Sequence, residues 1–253
     1  MRLHLKGCWF PMVVLVLVLP MMVQAQASEF SPGATYVVSA RELRIPRRAR
    51  EAYEKGLKHY TKSDFAGSLV FFRRAVAKFP DYYEAYYVMG AAEIKLGLYE
   101  EAQQPLQKSI AVSAGHFAPP YFALGVLWDE LGRPGEAGEI VERGLEVAPG
   151  SWPGELALTE TLLRLNRTEA AEKSARALIQ QRPDSGLAHI VLANIYVRRA
   201  DYRSALEEVD VFLKLEPNSP INAQVRELQQ SLENVLATAN PQLNEGRPSG
   251  AGN

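Results

Sequence analysis

The chain has 253 residues, 47% hydrophobic and 23% charged, with a formal net charge of −1. That length and apolar fraction allow a buried core without disulfides or metals, and the balanced charge excludes the strongly basic footprint of a nucleic-acid binder. One local excess of positive charge, Arg41, Arg44, Arg47, Arg48 and Arg50, is interrupted by Glu42 and followed by Glu51 and Glu54. It reads as the solvated start of a helix.

Residues 1–27 have the order of a secretory signal. Arg2 and Lys6 form a basic start, Cys8 to Val23 an apolar run broken by Pro11 and Pro20, and Ala25 and Ala27 the small residues of a cleavage site. The run is short for a spanning helix and its prolines weaken it further. Cleavage is expected after Ala25 or Ala27, and membrane contact only if the segment stays attached. Cys8, the only cysteine, opens the apolar run instead of following it, so no lipid anchor is expected there. The mature chain would carry 26 basic and 29 acidic residues, a net charge of −3, and no disulfide.

From residue 49 onward a period governs the sequence. Pro149, Pro183 and Pro217 are spaced by 34, and Pro80 lies 69 before Pro149. A small column runs Ser68, Ala102, Ala137, Ala171, Ala205. Another begins Gly56, Gly90, Gly125 and continues as Thr159 and Ala193. Columns that share one register at 34 residues indicate an array of helix–turn–helix units. The units run about 49–82, 83–117, 118–151, 152–185 and 186–219. In the second, helices are predicted over Tyr83–Leu96 and Glu100–Val112. Gly97, Gly132 and Asn166 fall at the turn, where a left-handed cap suits Gly or Asn. Gly90 and Ala102 are small so that paired helices approach closely, the prolines end the second helices, and the single extra residue falls in the Ser113–Pro120 connection.

These columns resemble the tetratricopeptide-repeat family, best in the third unit with Tyr121, Leu124-Gly125, Trp128, Ala137, Val141, Gly144 and Pro149. The fourth unit is the most degenerate, keeping Leu158, Ala171 and Pro183. The resemblance implies an all-α fold, a right-handed superhelical solenoid of five helix-turn-helix units. Lys55, Leu178 and Phe212 depart from the family's preferences and imply looser or altered helix contacts in the first and last two units. After Pro217 the apolar residues Ile221, Val225, Leu228, Leu232, Val235 and Leu236 recur at helical spacing, which predicts a C-terminal capping helix over 219–239. The repeat domain thus spans 46–239. Residues 28–45 read as an extended N-terminal arm and 240–253 as a disordered tail.

No catalytic constellation emerges. His59, His116 and His189 are scattered over three units without metal-ligand spacing, and Glu100-Glu101 and Glu207-Glu208 sit near helix starts, where acids suit the dipole. Neither a nucleophile elbow nor a phosphate loop is present. The expectation is a non-enzyme with no cofactor, no metal, no small-molecule substrate and no nucleic-acid partner.

In the family the first helices face a concave groove. Carried onto this chain, that face takes Tyr53, Tyr87, Phe122, Leu156 and Ile190; four residues on, Leu57, Ala91, Val126, Glu160 and Asn194; and three further, Tyr60, Ile94, Asp129 and Leu163. The groove is expected to be apolar and aromatic in its first half and acidic at Asp129 and Glu160. The competing reading is that these side chains pack between helices while the N-terminal arm fills the groove. The basic clamp that grips chaperone carboxylates in some members is missing from these places. The functional expectation is an extracytoplasmic scaffold, periplasmic or secreted, that binds a protein or peptide on this groove. The alternatives are an envelope assembly factor for a pilus, secretion or outer-membrane complex, and a regulatory subunit of an enzyme.

Overall fold

The period of the sequence is the period of the helices. The computed structural model describes residues 43–239, and every element among them is helical. The signal segment, the tail and nearly all of the N-terminal arm lie outside these residues. The described helices are α1 (Arg47–Tyr60), α2 (Phe65–Lys78), α3 (Tyr83–Lys95), α4 (Tyr99–Val112), α5 (Pro119–Glu130), α6 (Pro134–Val147), α7 (Trp152–Arg164), α8 (Thr168–Gln181), α9 (Gly186–Arg198), α10 (Tyr202–Leu215) and α11 (Asn222–Ala239). They fall into two compact units divided after Arg167. The division lies inside the fourth repeat, the one whose sequence pattern is weakest.

In the first unit, α1 pairs with α2, α3 with α4 and α5 with α6, and each second helix packs on the next first helix. First helices also touch their successors, α3 on α5 and α5 on α7. In the second unit α8 packs on α9, α9 on α10, and the terminal helix α11 on α10. The predicted capping helix therefore covers the last repeat, burying Val225 and Leu232.

Close approach explains the small columns. A Cβ on Gly90 would stand 2.5 Å from Leu106 Cγ, one on Gly125 2.3 Å from Val141 Cγ2, and one on Gly56 2.4 Å from the Phe72 ring. The partners lie sixteen residues on in each unit, a column of large side chains seated on a column of missing ones. Ser68, Ala102, Ala137, Ala171 and Ala205 are fully buried.

The helix-to-helix turns repeat one motif five times. Ser63, Gly97, Gly132, Asn166 and Ala200 all have φ between 58° and 73°. In each, the two N–H groups after the helix end bond back to carbonyls of its last turn, as Gly97 N to Ile94 O and Leu98 N to Glu93 O. This is the Schellman arrangement, which satisfies carbonyls that the helix leaves open. Second helices end two residues before Pro80, Pro149, Pro183 and Pro217. The extra residue sits between α4 and α5, where Ala114 and Gly115 turn the chain at φ 51° and 80°.

The expectation for the departing residues is corrected in its looser half. Leu178 and Phe212 do not loosen their repeats: both are about 1% exposed. A Cβ on Gly186 would come within 3.0 Å of Phe212, so a glycine on the facing helix makes room for the larger ring. Lys55 is simply exposed.

Candidate functional site

The acids expected in the middle of the groove stand together. Asp129 and Glu130 end α5, where the helix dipole opposes negative charge. Glu160, Thr161 and Arg164 occupy the last turns of the neighbouring first helix, α7. Thr161 Oγ1 donates to Asp129 Oδ2 at 2.8 Å. Arg164 donates from Nη1 to the Asp129 carbonyl at 3.1 Å and from Nη2 to Glu130 Oε1 at 2.9 Å, while its Nε stays 4.0 Å from Asp129 Oδ2. The guanidinium is therefore committed to Glu130 and to the end of α5. Asp129 Oδ1 and both oxygens of Glu160 are buried with no hydrogen-bond partner among the described residues.

Burial without sufficient counter-charge favours the protonated acid. Asp129 is pushed up to about 6, by burial first, against the opposing pull of Thr161 and Arg164. Burial likewise raises Glu130, and raises Glu160 well above the usual carboxylate range, with the nearby Asp129 and Glu130 adding to the rise and Arg164 opposing it. Sequence reasoning found Asp129 and Glu160 but missed Glu130, Thr161 and Arg164. The spacing that could have shown them is Glu160–Arg164, four apart on one helix face.

The aromatic half of the expected groove is corrected. Its rings form no open ladder but pack between helices. Tyr53 sits against Phe72 and Tyr82, with ring centroids 5.9 and 4.8 Å away. Tyr87 meets Phe117 edge-on at 5.7 Å and has no exposed surface. The Phe122 ring is enclosed where Gly144 of α6 and Gly154 of α7 lack side chains. Ala91, Ile94, Val126, Leu156 and Leu163 are also buried, and Leu57 is half-buried. In the second compact unit Ile190 is fully buried and Asn194 half-buried. The physical reason is that the fifth place of each first helix faces the neighbouring elements as much as the groove, so large rings there become inter-helix filling.

The hydroxyls of that column behave differently from their rings. Tyr60 and Tyr87 have buried oxygens with no hydrogen-bond partner among the described residues. Burial raises both phenols, and Tyr53 and Tyr60 raise Tyr87 further. Thus Tyr60, Tyr87, Asp129 and Glu160, all placed on the first-helix face by the repeat register, each carry an unsatisfied polar atom. Leaving such an atom buried costs about 1–3 kcal/mol.

On α2, α3 and α4, Arg73, Tyr86, Met89, Glu93, Gln104 and Lys108 line an open cleft of about 550 Å³. Arg73 stands 3.5 Å from the buried Glu93, and this pairing has no sequence signal in the period. Of the histidines, His59 meets Asp64 at 2.6 Å and His189 meets Glu208 at 2.7 Å. No group of three metal-ligating side chains occurs among the described residues, and none of the helices described there is long and apolar enough to cross a membrane.

Tetratricopeptide-repeat family profiles match residues 83–116 and 156–220. The chain carries tetratricopeptide repeats. The protein O-mannosyl-transferase TMTC1 of Homo sapiens is 27% identical over 110 residues, 44% of this chain. The match spans only 12% of that protein's length. Among solved structures, a thermophilic tetratricopeptide-repeat protein of Thermus thermophilus superposes with a TM-score of 0.66 at 20% identity, covering 73% of this chain and 98% of that one. PilW, described as a type IV pilus biogenesis factor, superposes at 0.62 with 14% identity, covering 78% and 95%. At these identities the likeness is one of fold. A repeat protein of this kind is a protein-interaction scaffold.

Proposed function

We propose that the face formed by α1, α3, α5 and α7 is where this scaffold binds an extended or helical segment of a partner protein, and that the scaffold is exported and does no chemistry itself. The observation that carries the reading is the set of unsatisfied groups on Tyr60, Tyr87, Asp129 and Glu160. Each such buried group calls for a partner, and these four residues lie on successive first helices. A partner segment that reaches this face supplies hydrogen bonds to those groups. The enclosed aromatic and aliphatic side chains supply the apolar surround that strengthens such bonds. Export rests on the Arg2–Ala27 pattern in the sequence.

Two measurements test it. Random peptides displayed on phage are panned against the purified chain, and an enriched peptide is photo-crosslinked to a reactive residue placed at Leu57 or at Val70. Leu57 lies on the first-helix face, whereas Val70 is 47% exposed on α2. Crosslinking through Leu57 and not Val70 supports the reading, and the reverse removes it. Intact mass of the product from a secreting host tests export. The proposal expects a chain that begins at Gln26 or Ser28; a chain retaining Met1 or Arg2 contradicts it.

A further inference from the structure

We propose that Asp129 and Glu160 form a subsite for a long cationic side chain, lysine or arginine, of the bound segment. The inference rests on the first-helix face being the docking face and names the chemistry that face selects.

Three carboxyl groups gather here against one guanidinium, and that guanidinium is already engaged with Glu130 and the α5 carbonyl. Thr161 satisfies only Oδ2 of Asp129. Three acceptor oxygens are left, Asp129 Oδ1 and the two of Glu160, without partners among the described residues. Glu160, one residue before Thr161 on α7, is only 7% exposed, and both of its carboxylate oxygens are buried. An ammonium carries three donors and a guanidinium a planar fork of them. Either supplies both the hydrogen bonds and the missing positive charge, and an anion or a neutral side chain supplies neither.

The surroundings of the subsite also favour a ligand cation over an internal one. With all three acids charged the cluster holds two uncompensated negative charges in a desolvated place, which raises the protonated share of each acid in the free protein. A bound cation displaces those protons. Binding of the basic side chain is therefore coupled to carboxyl ionisation, and the groups that face it are Asp129, Glu130 and Glu160 with Arg164 and, beside Glu130, Tyr99.

The test is the same phage selection read for composition. Wild-type protein is expected to enrich peptides with lysine or arginine at one fixed register. In an enriched synthetic peptide, replacing that residue by methionine should weaken binding to wild type at least about tenfold. Selection on Glu160→Gln and Asp129→Asn proteins should lose the basic preference while still enriching apolar peptides. Enrichment without a basic position, or equal binding of the methionine peptide, overturns the subsite and leaves the docking face standing. Enrichment of no peptide over an unrelated helical protein overturns both. Because the methionine replacement is made in the peptide, this arm holds whether or not either variant folds.

Discussion

Thr161 on α7 donates its hydroxyl to Asp129 on α5 at 2.8 Å, joining the first helices of consecutive repeats through a buried side-chain bond. Thr161 Oγ1 also lies 3.0 Å from the Ala157 carbonyl, a second acceptor that competes for its single proton. Thr161→Val keeps the shape and removes the donor. It leaves Asp129 with a second unsatisfied oxygen and should cost about 1–3 kcal/mol. Thr161→Ser keeps the donor and should stay close to wild type. Urea unfolding of the two variants at neutral pH compares them directly.

The raised acids set a sign for the pH dependence. A carboxyl whose folded value lies above its unfolded one binds more protons when folded. Its contribution to stability is greatest below the unfolded value and falls as pH rises through the folded one. For Asp129 that window runs from its ordinary value of 3.8 to about 6; Glu93, Glu130 and Glu160 are raised and act in the same direction. Lys95, held down to about 7 by burial, stays protonated in both states below that pH and adds no slope there. Stability should therefore fall between pH 4 and 6 by up to roughly 3 kcal/mol from Asp129, and Asp129→Asn should flatten the profile. Equilibrium unfolding across that range reads both.

Two glycines give opposite expectations for one substitution. Gly135, in the first turn of α6, has nothing within 4 Å of an added Cβ, and Gly135→Ala should stabilise by up to about 1 kcal/mol through helix propensity. Gly90→Ala places its Cβ against Leu106 and the Ala102 carbonyl and should destabilise by about 1–3 kcal/mol. Thermal melts that moved the same way for both would contradict the packing column.

The helices were legible in the sequence because the period is carried by steric necessity. Gly90 and Ala102 are small where two helices touch, and Pro149 and Pro183 stop helices where no further N–H is needed. The turn was only partly legible. Gly97, Gly132 and Asn166 announce a left-handed residue, but Ser63 and Ala200 adopt the same conformation without an intrinsic preference for it, because the five turns share one hydrogen-bond pattern. The site was legible as a set of places, with open surface and inter-helix packing both left standing. Register gives the face on which Tyr87 and Phe122 stand, but not how far a neighbouring repeat closes over a ring. Arg164 was missed for a related reason: its partners Asp129 and Glu130 lie 35 and 34 residues away.

The borrowed turn conformation at Ala200 is itself testable. An alanine at φ 59° carries a strain of roughly 1–2 kcal/mol. Ala200→Gly should relieve it and, after the entropy of the more flexible unfolded chain, raise stability by about 0.5–1 kcal/mol. Gly97→Ala should lower it by a similar amount. Paired melting temperatures decide the point.

The central claim is that the first-helix face trades stability for binding, and the double variant Tyr60→Phe, Tyr87→Phe tests it most directly. Both changes keep the packed rings and delete only the unsatisfied hydroxyls. The free protein should become more stable, by about 1 kcal/mol or more, because buried polar atoms without partners are removed. The affinity for an enriched peptide, titrated by fluorescence, should fall about fivefold or more, because the hydrogen bonds that the peptide supplies are lost. A variant that melts lower than wild type, or that binds the peptide as tightly as before, would contradict the account.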